Sequence, residues 1–134
     1  ELIRDELAIG SGWEVDPVIS NQWPCGMAGR EPVLAIGLES SKSQASTQTI
    51  VYSVGAAPSA IWRGQVLMRC GPAYGLDGVI RPEGKAQNRV LIDGLPKDGL
   101  GFHARQDPHS RVLHLQLEQA VNGGSGRLRS AAVF

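Results

Sequence analysis

The clearest pattern along the chain is a strict alternation of apolar and polar side chains near its C-terminus. Within Val112–Glu118, every second residue is a leucine, and a histidine, a glutamine and a glutamate fill the places between and after them. A period of two is typical of a half-buried β-strand, because successive side chains point to opposite faces of the sheet. We therefore predict a strand whose core face carries Leu113, Leu115 and Leu117.

A glycine-rich turn follows this strand and leads into a second strand-compatible run. Asn122–Gly126 is made of residue types that tolerate a positive φ angle, which tight hairpin turns require. Arg127–Phe134 then has the length to pair back on the preceding strand. The chain is therefore predicted to end in a β-hairpin.

The middle of the chain contains further short strands, separated by loops rich in glycine, proline and polar residues. Apolar or alternating runs occur at Pro32–Leu38, Thr49–Val54, Ile61–Cys70, Asn88–Gly94 and Leu100–Ala104. In the third of these runs, Val66, Met68 and Cys70 would share one face. Sequential short strands joined by turns favour antiparallel pairing.

The first nine residues are the one segment with a helical pattern. Leu2, Ile3 and Leu7 form a stripe within Glu1–Ile9, and the glycines that follow are typical of a helix end. Two helical turns are unstable alone, so we expect the tip of a longer helix. The predicted fold class is α+β: the end of a long N-terminal helix packed on an antiparallel sheet of about six or seven short strands.

Length and charge limit the possible partners. The 134 residues are interpreted as one domain, with the helix end at 1–9, a loop at 10–31 and a β-rich head at 32–134. Thirteen basic and thirteen acidic residues cancel, so no basic footprint points to nucleic acid or to an anionic membrane surface. No apolar run approaches the ~18 residues that a membrane-spanning helix needs.

The two cysteines, Cys25 and Cys70, have no metal-binding spacing around them. Both stand beside turn-forming glycine and proline residues, where a covalent link stabilises irregular backbone most. We favour a disulfide between them, and the alternative is a pair of reduced thiols. A disulfide would place the protein in the periplasm or outside the cell.

Five short segments, taken in order, carry a resemblance to a known family. They read "TIVYSV" (Thr49–Val54), "LMRCGP" (Leu67–Pro72), "VLIDGL" (Val90–Leu95), "GLGFHA" (Gly99–Ala104) and "RLRSAAVF" (Arg127–Phe134). This order resembles the globular head of type IV pilin-like proteins, specifically minor pilins and pseudopilins. The family's prepilin cleavage site and long apolar helix are expected upstream, with Glu1–Ile9 as the end of that helix.

The resemblance implies a function in assembly. The chain would be a structural subunit of a type IV pilus or a type II secretion-like filament, acting in filament assembly or priming, with other pilins or pseudopilins as partners. Its missing helix would anchor it in the inner membrane before assembly, and its head would lie in the periplasm or at the cell surface. DNA uptake, motility, adhesion and secretion all remain open as the purpose of the filament.

Candidate metal ligands exist, but each has a simpler explanation. His103, Asp107, His109 and His114 come close together in sequence, yet the Asp-Pro-His stretch among them is typical of a solvated hairpin turn. Asp77, Asp93 and Asp98 offer oxygen ligands for calcium, and they too precede or flank glycines as turn formers do. We therefore predict no metal site and no cofactor.

No enzyme motif stands out in the sequence. It contains no nucleophile elbow, no phosphate-binding loop and no dinucleotide fingerprint, so we predict no catalytic residues and no small-molecule substrate. The principal alternative function is a secreted β-rich binding module for glycan or peptide, with Trp13, Trp23 and Trp62 as an apolar platform. Ordinary core packing is the favoured explanation for these tryptophans. A small secreted hydrolase is the least favoured hypothesis.

Overall fold

The computed structural model of the chain describes residues 7–9, 25, 29–38, 48–78, 86–97, 101–107, 109, 112–121 and 124–133. These residues form eight β-strands and no helix. The strands are β1 (Leu7–Ile9), β2 (Arg30–Leu38), β3 (Gln48–Gly55), β4 (Gln65–Gly71), β5 (Gln87–Leu95), β6 (Phe102–Gln106), β7 (Val112–Val121) and β8 (Gly124–Val133). A helix able to cross a membrane is not found in this part of the chain.

The strands form two antiparallel sheets in simple sequential order. The large sheet runs β1-β2-β3-β4-β5, and the small sheet runs β6-β7-β8. Every neighbouring pair is antiparallel, including the C-terminal hairpin of β7 and β8. Because each strand pairs antiparallel with the next strand of its sheet, both sheets are simple meanders.

The predicted α+β class is wrong, and the described fold is all-β. Part of the predicted helix Glu1–Ile9 is strand β1, whose backbone pairs with β2 in the register Leu7↔Ile36 and Ile9↔Leu34. Residues 1–6 lie outside the described part of the chain. A segment this short makes few hydrogen bonds as a helix, whereas the edge of β2 offers it a complete set of backbone partners. The predicted single sheet is also wrong, because the strands divide into two.

Strand β4 starts later than its sequence pattern indicates. The run Ile61–Cys70 was expected to be extended throughout, but β4 begins only at Gln65. The main-chain N–H of Trp62 donates to the carbonyl of Ser59, and Gly64 has a φ of 60°. These residues therefore form a turn, and alternation before Gln65 is coincidental.

The two sheets pack face to face, and the core lies between them. One cluster joins Val33, Val54 and Leu67 of the large sheet to Phe102 of the small sheet. A second joins the large sheet to Leu113 of β7. The residues that connect the clusters include Tyr52, Ala104 and Leu115, which are partly buried and pack against both.

The three leucines of the predicted core strand lie on β7. Leu113 is buried, and Leu115 and Leu117 are partly buried against the same core. Their cross-strand partners on β6 include Phe102, which pairs with Leu117. The alternation therefore has a direct cause: β7 presents one side to the large sheet.

The large sheet is also buried on its other face. Val51 in β3 and Cys70 in β4 are at most 1% exposed, and they form a third cluster with Ala35. In β4 the predicted set of Val66, Met68 and Cys70 is buried, but Leu67 on the opposite face is buried as well. β3 and β4 are therefore central strands covered on both sides rather than half-buried ones.

Candidate functional site

A disulfide joins Cys25 and Cys70, as predicted from their position beside turns. The two Cα atoms are 6.0 Å apart, and the link closes a separation of 45 residues. Cys70 belongs to the buried cluster of Ala35 and Val51, and Cys25 packs against that cluster. The bond thus attaches the chain at Cys25 to the outer face of the large sheet. It also indicates an oxidising compartment outside the cytoplasm.

Arg30 joins three strands of the large sheet through neutral acceptors. Its Nε donates to Oγ of Ser53 over 2.9 Å, and its Nη2 donates to the carbonyls of Ser53 and Val66 over 2.9 and 2.8 Å. Its Nη1 donates to the carbonyl of Ala56 over 2.6 Å. Burial of the guanidinium lowers the pKa of Arg30. The hydrogen bonds compensate that burial, so Arg30 is a structural residue of the sheet.

Sequence reasoning did not identify Arg30, because it lay inside the predicted loop 10–31. Nothing in its neighbours marks it as different from the other arginines. Its role depends on the pairing of β2 with β3, which brings Ser53 beside it from 23 residues away. Only the tertiary register could reveal this contact.

The histidines considered as metal ligands are spread along the small sheet. His103 is exposed on β6 opposite Gln116, and His114 lies on β7 opposite Arg105. The main-chain N–H of His109 donates to Oδ1 of Asp107 over 3.0 Å, as in an ordinary Asx turn. Within the described ranges, no three His, Cys, Asp or Glu side chains form a metal-binding group.

The aspartates considered for calcium have structural partners in the described part of the chain. Oδ2 of Asp93 accepts the main-chain N–H of Arg63 over 3.0 Å, and the Asp93 carbonyl accepts from Nε2 of Gln119 over 3.1 Å. Asp77 is exposed in a turn closed by a hydrogen bond from Gly78 to Gly75. Asp98 lies outside the described residues.

An open groove lies beside Trp62 in the described part of the chain. It has a volume of about 760 Å³ and lies along β4 and β5. Its apolar lining is Pro58, Trp62, Met68 and Val90, and its polar lining includes Asn88 and Arg89. Trp62 is partly buried and so presents only part of its ring. Trp13 and Trp23 lie outside the described residues, so Trp62 is the described member of the predicted platform.

The loop that carries Trp62 is fixed to the edge strand β5. Next to Trp62, the carbonyl of Arg63 accepts from the N–H of Gly94 over 2.6 Å, and its N–H donates to Asp93. Gly94 has a φ of 72°, and a Cβ there would come within 3.3 Å of the Ala120 carbonyl. This position therefore favours glycine. The two hydrogen bonds of Arg63 hold the loop, and with it Trp62, against β5.

Comparison with known proteins identifies no relative of the chain. No family model, no curated protein and no solved structure matches it. Any functional assignment therefore rests on the residues, their arrangement and the family resemblance of the five short segments.

Proposed function

We propose that the chain is a structural subunit, a minor pilin or pseudopilin, of a type IV pilus or type II secretion-like filament. Four of the segments that resemble this family coincide with consecutive strands. "TIVYSV" lies within β3, "LMRCGP" covers the end of β4, "VLIDGL" covers the end of β5, and "GLGFHA" leads into β6. The order of the motifs therefore follows the order of the strands, and this supports their treatment as one pattern.

The observation that carries the proposal is the double burial of the central strands. Val54 faces the small sheet, whereas Val51 faces the layer to which Cys25 belongs. The disulfide and the Arg30 hydrogen bonds both act on this same part of the large sheet. A filament repeats one interface many times, so its subunits need surfaces of fixed shape. A sheet held on both faces and cross-linked meets that requirement.

The proposal includes a location and an anchor. The disulfide supports an oxidising compartment, and the family resemblance specifies the periplasm or the cell surface. A helix encoded upstream of Glu1 would hold the subunit in the inner membrane before assembly. Other pilins or pseudopilins of the same filament are its partners.

The codons upstream of Glu1 provide the first test. We expect a prepilin peptidase site followed by a long apolar helix. A cleavable signal peptide joined directly to this domain would contradict the proposal.

Filaments sheared from the cell surface provide the second test. An antibody against the chain should detect it in the filament fraction, and the signal should disappear in a strain that cannot assemble filaments. Detection only as a free secreted protein would contradict a role as a subunit.

The groove beside Trp62 favours a second candidate function, a secreted module that binds glycan or peptide. An indole ring next to exposed amide and guanidinium side chains suits either ligand. Binding on a glycan or peptide array that disappears in Trp62→Ala would support this alternative. Ile61→Ala is the matched control, because Ile61 is 79% exposed and does not line the groove.

A further inference from the structure

One row of cross-strand partners crosses the large sheet from the core to its edge. Leu34 on β2 pairs with Tyr52 on β3, Tyr52 pairs with Arg69 on β4, and Arg69 pairs with Arg89 on β5. Directly opposite residues of antiparallel strands share a face of the sheet. Leu34 is buried and Tyr52 is partly buried, so the row begins in the core and ends in two arginines that are cross-strand partners.

The Arg69 side chain is held in place but leaves one buried donor unused. Its Nη2 donates to the carbonyl of Pro72 over 2.9 Å, and its guanidinium carbon lies 5.2 Å from the centre of the Tyr74 ring. Its Nε is buried and makes no hydrogen bond. An unpaired buried donor is destabilising, and the partly buried guanidinium has further N–H groups on Nη1 and Nη2 that an incoming acceptor can use.

Arg89 adds a second positive charge at the same level. It is exposed, and its Nε donates to Oε1 of Gln87 over 2.7 Å, which uses one of the five N–H donors of the guanidinium. Like charges directly opposite on neighbouring strands repel each other. A carboxylate placed between Arg69 and Arg89 would remove this repulsion and accept charge-assisted hydrogen bonds from both.

The surroundings of the pair favour a polypeptide as the source of that carboxylate. Tyr74 is 51% exposed, and Leu76, two residues further on, is fully exposed. Arginine and tyrosine are enriched in protein interfaces, where exposed apolar side chains become covered. Among the described strands, β5 pairs only with β4, so the site lies at a sheet edge that a partner can approach.

We propose that an acidic segment of a neighbouring protein subunit binds here. A glutamate or aspartate carboxylate inserts between Arg69 and Arg89, and an adjacent apolar side chain covers Tyr74 and Leu76. This inference rests on the proposed function for the identity of the partner as a filament subunit. The binding chemistry itself depends only on the described residues.

The test uses a defined acidic peptide, acetyl-Gly-Leu-Glu-Glu-Leu-Gly-amide, titrated into the ¹⁵N-labelled 134-residue chain. We expect the Nε–H resonance of Arg69 to shift as the peptide binds, and the shift to weaken with added salt. The same peptide with glutamine in place of both glutamates should cause no shift. Equal shifts from the two peptides would overturn the proposal.

Substitutions identify the residues that bind. Arg69→Lys and Arg89→Lys should each weaken peptide binding about tenfold, because lysine cannot make the bidentate contact. Arg105→Lys is the matched control, since Arg105 is exposed on β6 and outside the row. Loss of binding in Arg105→Lys would place the peptide elsewhere and overturn the proposal.

Two other ligands distinguish the source of the anion. Sodium sulfate that shifts Arg69 as strongly as the peptide would mean an adventitious ion only, and would overturn docking of a protein segment. Tri-galacturonate that binds more tightly than the peptide would assign the site to an acidic glycan instead.

A filament assay separates this proposal from the proposed function. Arg89→Glu should keep the wild-type melting temperature, because Arg89 is exposed, yet reduce incorporation into sheared filaments. Normal incorporation together with loss of peptide binding would overturn the docking site. Absence of the wild-type chain from filaments, with peptide binding intact, would overturn the filament role and leave the carboxylate site standing.

Discussion

The hydroxyl of Ser53 lies 2.9 Å from Nε of Arg30 and accepts a hydrogen bond from it. Ser53 is 1% exposed, whereas Arg30 reaches it from the start of β2. The contact explains how a polar side chain is tolerated in the centre of the large sheet. It also explains how a charged side chain is held beside the buried strands, because the carbonyls of Ser53 and Val66 share the same guanidinium.

Replacing Arg30 should therefore destabilise the fold. We expect Arg30→Met to lower the free energy of unfolding by about 2–4 kcal/mol, because buried acceptors on β3 and β4 lose a charged donor. Urea unfolding followed by circular dichroism measures this change. Arg105→Met, at an exposed position of β6, should change stability by less than ~0.5 kcal/mol. Similar losses in both variants would mean that the Arg30 hydrogen bonds are not specifically stabilising.

The disulfide should make a large contribution to stability. The chain-entropy model sets the loss at about 4 kcal/mol for this loop length, so we expect Cys25→Ser/Cys70→Ser to unfold roughly 10–15 °C below the wild type. Thermal melts with and without reductant measure it, and reduced wild type should match the double variant. Free alkylation of both thiols in native oxidised protein, detected by mass spectrometry, would contradict the bond.

Gly101 lies where a side chain cannot fit. A Cβ on Gly101 would come within 2.8 Å of Cγ of Leu95, which is 2% exposed. Gly101→Ala should therefore lower stability by about 1–3 kcal/mol, because the buried leucine must move. Gly126→Ala is the matched control: a Cβ there meets nothing within 4 Å. The difference between their melting temperatures checks the packing, and equal values would show that Leu95 adapts without cost.

Local periodicity explains why most strands could be predicted. The alternation around Leu115 reflects one side of β7 facing the large sheet, so the pattern and its cause are both local. The helix prediction was wrong at Leu7–Ile9, because the structure of this segment depends on its pairing with β2, which is distant in sequence. Likewise, no alternation could show that β4 is covered on both faces, since that depends on the third cluster around Cys70.

The candidate sites also divide into features that the local sequence predicts and features that depend on tertiary pairing. Cys25 and Cys70 could be paired from the sequence because only two cysteines exist and both stand beside turns. Trp62 was identified as a possible binding residue, but the position of its loop depends on the hydrogen bond between Arg63 and Gly94 of β5. The Arg69 and Arg89 pair could not be found at all, because a register shift in β5 sets which residue faces Arg69.

Leu115 and His114 allow a final test, because neighbouring residues of one strand point to opposite faces. Leu115 packs against both core clusters between the sheets. Leu115→Asp would place an unpaired carboxylate there and should prevent cooperative folding. His114→Asp should fold with a melting temperature close to the wild type, since its side chain points away from that core.

Thermal melts of the two variants, followed by circular dichroism, measure the contrast. A slip of β7 by one residue against β6 would exchange the two faces, so the contrast tests the register Leu115↔Ala104 directly. If the chain is a filament subunit, Leu115→Asp should also be absent from sheared filaments while His114→Asp is present, because only a folded head offers its interfaces. If both variants melt at the same temperature, β7 does not bury one face against the large sheet while its other face points away from it.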